Sequence, residues 1–461
     1  MSRVAVVGAG VAGLVAAYEL DKAGHDIHLF EAAGHAGGHA NTVAVETEAG
    51  THDVDTGFVV LNDRNYPNLK RLFAELGVAT QPSDMSFSVS DADGRFEWAS
   101  RPLGVFACPA HVVDPRFHRM LSDLVRFNRE ARGLIALNGE GPSLRAFLAD
   151  GGYSDYFVER LIVPQVAAIW SADPAELWSF PVSFLAAFLE NHGALQLLGR
   201  PRWRSVTGGS RRYVEAILAA LPGRVHLRAP VRRIARDREG VELRFEDTVA
   251  RFDEVVLALH SDQALALLAE PTAAERDVLG AIPYKANDVV LHTDERLLPR
   301  RRAAWAAWNY ERSGRREAGE TGTVCVHVLA NRLQALPFDA PVIVTLNPLF
   351  EPAGKLVQGE FHYAHPLFDR RAIAALARLG ALQGRRDTWY CGAWTGRGSH
   401  EDGLVSGLDL TDRFCRDGRC HVVIGGLIAY FDHGHLTTTF ARTLVPDIAT
   451  ALTEGLAARA S

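Results

Sequence analysis

An α/β fold made of two interleaved domains is what this 461-residue sequence predicts, and three observations predict it. A short apolar strand, Val4 to Val7, runs directly into a glycine turn and a helix, and a second strand follows. From about residue 98 to 200 apolar residues recur at helix spacing. Strand-like blocks then return near 223–260, 285–365 and 388–393. The opening strand, helix and strand imply a parallel sheet, and the later alternation implies an α+β domain inserted between segments of the first.

The first strand, Val4-Ala5-Val6-Val7, ends in Gly8, Gly10 and Gly13, a G-x-G-x-x-G turn. About 0.3 such matches are expected by chance at this length and glycine content, so context decides. The turn opens an apolar helix (Leu14, Val15, Ala17, Leu20), and the strand Asp26 to Phe30 stops at Glu31. That arrangement holds a dinucleotide. Gly10 lets a pyrophosphate approach the backbone, Gly13 lets the helix pack on its strand, the phosphates sit at the helix N-terminus, and Glu31 accepts a ribose hydroxyl. A secretory signal peptide competes, because Arg3 precedes fifteen uncharged residues, Val4 to Tyr18. Glycines at 8, 10 and 13 would weaken its helix, and no A-x-A-like site precedes Glu19.

Six residues past Glu31 comes a second pair, Gly37 and Gly38, followed by His39. This resembles the signature of flavoproteins of the glutathione-reductase and amine-oxidase type, which implies a Rossmann-type FAD-binding domain. A second close backbone approach suits the long ribityl–pyrophosphate arm of FAD. Further along, Phe106, Phe117, Met120, Leu121, Leu124, Val125 and Phe127 read as helical. Residues 224–228, 231–234, 241–245 and 254–260 read as strands between charged turns, and they resemble the β-meander and return strand of a flavin domain, with Val231 near the adenine. Residues 288–292, 323–329 and 342–346 read as strands, and Thr388 to Ala393 as a strand entering a small-residue turn. The expected boundaries are 1–80, 205–270 and 385–461 for the FAD-binding domain, and 81–204 and 271–384 for the substrate domain.

A formal net charge of −6 offers no footprint for nucleic acid. Local basic clusters at Arg200 to Arg204, Arg211-Arg212 and Arg300 to Arg302 suit either solvated surface or anionic lipid headgroups. No uncharged apolar run reaches the roughly 18 residues of a transmembrane helix, so a soluble or peripheral protein is expected. Five scattered cysteines suit a reducing cytoplasm better than a disulfide framework, and Cys415 and Cys420 lack a second metal-ligand pair, so no metal is expected.

The blocks 37–42, Asp55 to Phe58 with Asn62 and Tyr66 to Asn68, 83–89, 168–171, 199–203, Ala304 to Asn309 and His400 to Leu404 together resemble the amine-oxidase-like FAD proteins that form the N-terminal part of plant cyclopropane fatty acid synthases. Bacterial members stand alone. The resemblance spans roughly residues 3 to 408. It implies an FAD-dependent oxidoreductase that accompanies a fatty-acyl methyltransferase of the cyclopropane-synthase type and desaturates methylated acyl chains. From Asp409 to Ser461 the sequence departs from the family pattern.

Within that resemblance Gly8, Gly10, Gly13, Glu31, Gly37 and Gly38 bind the ADP half and pyrophosphate, and His39 stands where relatives often place Arg. Gly57 and Phe58 are expected along the isoalloxazine edge. Gly392 and Ala393 with Asp402, Gly403 and Leu404 are expected to bring backbone N–H groups to the pyrimidine side of the ring. Trp394 replaces the acid that many relatives use for the ribityl chain. His400 and Glu401 adjoin that turn and are the candidates for proton transfer. Trp170, Trp178, Phe180, Phe184, Phe188, Leu195, Leu197, Leu198 and Trp203 can line an acyl tunnel with a peripheral membrane mouth, or simply pack a core. Two other readings stay open: a flavin-binding partner subunit of the methyltransferase, and a soluble amine oxidase whose aromatic cage draws on Trp305 and Trp308. Cys391 and His400 are conceivable points of covalent attachment, but non-covalent FAD is expected.

Overall fold

The computed structural model describes residues 2–48, 50–137, 141–170, 178, 181–196, 199–312, 324–416, 423–424 and 427–428. The chain forms two compact units: residues 1–38, 214–282 and 371–461 make unit 1, and residues 39–213 and 283–370 make unit 2.

Unit 1 is built on a five-stranded sheet in the order Val225–His226, Asp26–Phe30, Arg3–Val7, Glu254–Leu257, Thr388–Tyr390. Every pairing in it is parallel. Val4, Val6, Val255 and Val256 are fully buried, as a parallel strand covered on both faces requires. The meander Arg233–Asp237, Gly240–Arg244, Val249–Phe252 is antiparallel. Two helices, Val11–Lys22 and His400–Arg416, pack closely because the second carries glycine where it meets the first. A Cβ at Gly407 would lie 2.6 Å from the Ala12 carbonyl oxygen.

Unit 2 carries a seven-stranded sheet in the order Val357–Pro366, Tyr284–His292, Ile343–Leu346, Cys325–Leu329, Trp308–Arg312, Phe87–Asp91, Glu97–Ala99. The pairing of Trp308–Arg312 with Phe87–Asp91 is parallel and the others are antiparallel. Helices Pro115–Gly133, Leu144–Asp150, Val163–Trp170 and Val182–Asn191 form the helical stretch, which begins at Pro115 and not near 98, with Phe106 in the turns before it. The first starts where proline follows a cap, the Asp114 side chain accepting from Arg116 N–H. Phe117, Phe127, Phe157, Leu185 and sheet residues such as Leu291 and Val326 share one buried core.

The chain passes into unit 2 at His39, not near residue 80. The reason lies in the hairpin Thr42–Thr47 and Gly50–Asp55, whose Val45 and Val54 bury their side chains in the unit 2 core. At the other edges unit 1 takes residues 214–282 and 371–461, so the 205–213, 271–282 and 371–384 segments also fall differently from expectation.

Candidate functional site

The glycine turn of unit 1 is shaped by what its residues lack. Gly8 has φ +102°, and a Cβ there would come within 2.5 Å of the Ala258 carbonyl oxygen. At Gly13 a Cβ would sit 1.9 Å from the Gly8 carbonyl oxygen, so only glycine lets the helix start against the turn. Gly10 differs: it caps the helix without a side-chain hydrogen bond, and a Cβ built on it meets nothing within 4 Å. The first turn of Val11–Lys22 holds no acid to meet its N-terminal N–H groups and positive dipole end, and Gly10 borders open space. A phosphate fits that cradle.

The second glycine pair joins the first. Gly37 donates to the Ala9 carbonyl at 2.8 Å, and a Cβ on Gly38 would stand 3.1 Å from the Gly10 Cα. Glu31 accepts from Ala9 N–H through Oε2 and from Ala33 N–H through Oε1, both at 2.8 Å. A carboxylate offers about four lone-pair positions, so the two backbone bonds orient Glu31 and leave acceptor capacity for ribose hydroxyls. Val231 is buried just ahead of the meander.

The C-terminal segments converge on the same turn. Gly392 has φ +151° and donates to Ser406 Oγ at 2.9 Å, while Ala393 opens a short 3-10 turn. Ser399 and Asp402 cap helix His400–Arg416 reciprocally: Ser399 N–H and its hydroxyl donate to Asp402 Oδ2, and Asp402 N–H donates to Ser399 Oγ. Asp402 thus caps this helix through Oδ2. A Cβ at Gly403 would lie 2.8 Å from Val11 Cγ1, which places the N-termini of the two helices side by side. Leu404 is buried beneath them. His400 is half-buried and Glu401 buried, both in the first turn of this helix. Trp394 is buried and donates to the Leu259 carbonyl at 2.9 Å, so it braces the turn. Burial pushes the Cys391 thiol up to about 12, which keeps it protonated and a poor nucleophile.

In unit 2, His39 does not act alone. Its ring lies 4.9 Å from Tyr363 and 5.7 Å from His365, and its carbonyl accepts from Phe58 N–H at 2.7 Å. A Cβ at Gly57 would come 2.3 Å from that carbonyl, which is why glycine is needed there. The Tyr363 hydroxyl meets Thr56 Oγ1 at 2.7 Å and Asn41 Nδ2 at 3.0 Å. Behind this cluster Asp55 is buried and accepts from Thr42 Oγ1, Ser210 N–H, Ser210 Oγ and Gln334 Nε2. Burial pushes the Asp55 carboxyl up to about 6, against the opposing pull of the Thr42 and Ser210 hydrogen bonds.

Tyr363, His365 and the Asp55 partners escape a reading of the sequence. Phe361, Tyr363 and His365 alternate with period 2 on the Val357–Pro366 strand, a faint signal for one shared face. Ser210 and Gln334 stand 155 and 279 positions from Asp55 and carry no local signal.

The apolar set is drawn together in part. Trp178, Phe184 and Phe188 are half-buried against the unit 2 core, and Leu195 is buried in it. Phe188 stacks on His192 at 4.0 Å, and His192 on Trp203 at 5.9 Å. Phe180, Leu197, Leu198 and the Trp170 side chain lie outside the described residues. Trp305 and Trp308 do not combine into one cage. Trp305 packs on Leu298, Leu329 and Ile343, whereas Trp308 joins the main core. Basic clusters are partly neutralised, with Arg301 bound to buried Glu97 and Arg211 to Asp53.

Residues 11–333 match the family of flavin containing amine oxidoreductases, and the chain belongs to that family. Its fold is of the flavin amine-oxidase type, and FAD is its cofactor. A short match, residues 394–450, is to an SGNH domain of the kind fused to AT3 domains. Among curated proteins the chain is 24% identical to an L-amino-acid oxidase of Pseudechis australis, over 55% of this chain and 49% of that protein. It is 30% identical to a carotenoid phi-ring synthase of Streptomyces griseus, over 58% and 54% respectively. The chain thus spans about half the length of these relatives. A CLA-producing fatty acid isomerase from P. acnes shares the fold, with TM-score 0.63 and 18% identity over 90% of this chain and 99% of that one. Among the described residues no helix is long and apolar enough to cross a membrane.

Proposed function

We propose that this flavoenzyme dehydrogenates a methylated fatty acyl chain of a phospholipid, working at the cytoplasmic membrane surface beside a methyltransferase of the cyclopropane-synthase type. The observation that carries the reading is the stacked, half-buried series Phe188, His192 and Trp203 on the apolar core of unit 2, a surface suited to a hydrocarbon chain. Support also comes from a fatty acid isomerase of the same fold and from a relative named for carotenoid ring synthesis.

When bound, FAD supplies the hydride acceptor. The chain's own residues then hold and orient. Gly8, Gly10 and Gly13 with Gly37, Gly38 and the N-terminus of Val11–Lys22 would hold the pyrophosphate, Glu31 would hold ribose hydroxyls, and the N–H groups opening His400–Arg416 would favour negative charge on the flavin. His400 and Glu401, in that first turn, are assigned the transfer of an allylic proton.

The test is anaerobic mixing of the yellow protein with vesicles of plain or methylated cis-unsaturated phospholipid. Bleaching of the flavin band by the methylated lipid alone is expected, and Phe188→Arg should abolish it. Unchanged bleaching in that variant would remove the aromatic series from the acyl path.

Amine oxidation is the second reading, favoured by the half-buried rings of His39, Tyr363 and His365 and by the relative named as an L-amino-acid oxidase. Rapid bleaching by a soluble amine without vesicles would establish it in place of the lipid reading.

A further inference from the structure

Strand pairing in unit 2 brings Glu311 to Cys325 and His327, three side chains of metal-ligating type. Cys325 and His327 alternate along Cys325–Leu329 and share one face of the sheet. Glu311 is the cross-strand partner of Cys325 on Trp308–Arg312. Their donor atoms converge: His327 Nε2 lies 3.1 Å from Glu311 Oε2 and 3.5 Å from Cys325 Sγ, and Cys325 Sγ lies 4.0 Å from that same oxygen.

We infer that Glu311, Cys325 and His327 form a zinc site. Zinc bonds of about 2.0–2.3 Å at tetrahedral angles put neighbouring ligand atoms about 3.3–3.6 Å apart, and the three observed separations bracket that range. A thiolate, an imidazole and a carboxylate suit this borderline cation, whereas calcium and magnesium prefer oxygen alone. Charge also balances, because Zn²⁺ with the Cys325 thiolate and the Glu311 carboxylate sums to zero, as a buried site demands. Burial pulls the His327 imidazole down, yet Cys325 and Glu311 hold it up to about 9, so binding must expel to solvent the His327 Nε2 proton as well as any proton on Cys325 Sγ.

The surroundings fit as well. His327 Nδ1 lies 2.9 Å from Thr345 Oγ1, so its N–H can donate there and leave the Nε2 lone pair for the metal. His292 accepts from Asp294 N–H through Nδ1, which leaves its Nε2–H to donate to the same hydroxyl at 2.7 Å. Thr345 Oγ1 has two lone pairs and receives both. His327 and Cys325 are buried, while the Glu311 side chain keeps 13% of its surface exposed and provides the way in. Its second oxygen, or a water, completes four ligands.

The flavin-loaded protein would be soaked in Zn²⁺, desalted and assayed by mass spectrometry for zinc against FAD. About one zinc per chain is expected. Cys325→Ser and His327→Gln should each fall to background with FAD content unchanged. Glu311→Gln should surrender zinc to a competing chelator more than about tenfold more readily, since losing even one outer hydrogen bond costs that much. A wild-type protein without zinc after soaking overturns the site, and that arm depends on no variant folding. Retention of zinc by Cys325→Ser or His327→Gln, or wild-type affinity in Glu311→Gln, overturns it equally.

Discussion

In unit 1 the glycine turn owes its shape to side chains that are missing, and in unit 2 the Asp55 loop owes its shape to side chains that are buried. Gly8 and Gly13 permit atoms to approach where any Cβ would collide with a carbonyl oxygen. Asp55 instead holds its loop with four donor groups drawn from Thr42, Ser210 and Gln334. The first device fails by steric overlap and the second by stranded polar groups. They should therefore break differently, one through cofactor binding and the other through pH and heat.

The largest effect is expected at the turn. Gly13→Val would force its Cβ into the Gly8 carbonyl, moving helix Val11–Lys22 off the strand and disordering the phosphate cradle. Purified protein should come off colourless, with FAD retention below about a tenth of wild type, since the loss of even one hydrogen bond to a charged phosphate costs about 1.5–3 kcal/mol. A yellow variant with full FAD occupancy would show that Gly10 and the second glycine pair suffice.

At Asp55 the effect should be intermediate and depend on pH. Its folded pKa, about 6, stands above the ordinary aspartate value of 3.8, so between these values the folded state binds more protons than the unfolded state. Stability contributed by the protonated carboxyl is thus present below about pH 4 and lost as pH rises through about 6, a span worth on the order of 3 kcal/mol. Asp55→Asn should flatten that slope, while leaving one Ser210 or Thr42 group without its acceptor at a cost of about 1–3 kcal/mol. Thermal melts from pH 4 to 7 would check both. A variant that keeps the wild-type slope would assign it to another group.

The smallest effect belongs to the cap. Asp402→Ala removes the acceptor of Ser399 N–H and its hydroxyl, and should cost about 1 kcal/mol in stability with FAD still bound. Loss of FAD from this variant would show that Asp402 also holds the flavin, as the resemblance implies.

What the sequence by itself determined is whatever is written within a few residues of itself. The turn from Gly8 to Gly13, the acid that ends the second strand, the helical stretch after residue 98 and the small-residue entry at Gly392 are all local patterns. Sterics and hydrophobic periodicity act over such distances. Only the tertiary structure decided which of those patterns meet: that Gly403 seats against Val11, that the chain leaves unit 1 at His39, and that Tyr363 lies beside His39. The same holds for Asp55 with Ser210 and Gln334, and for Glu311 with Cys325 and His327. Hydrogen bonds and ligand geometry are short in space yet indifferent to distance along the chain, so a buried polar cluster becomes visible only once the strands that carry it are paired.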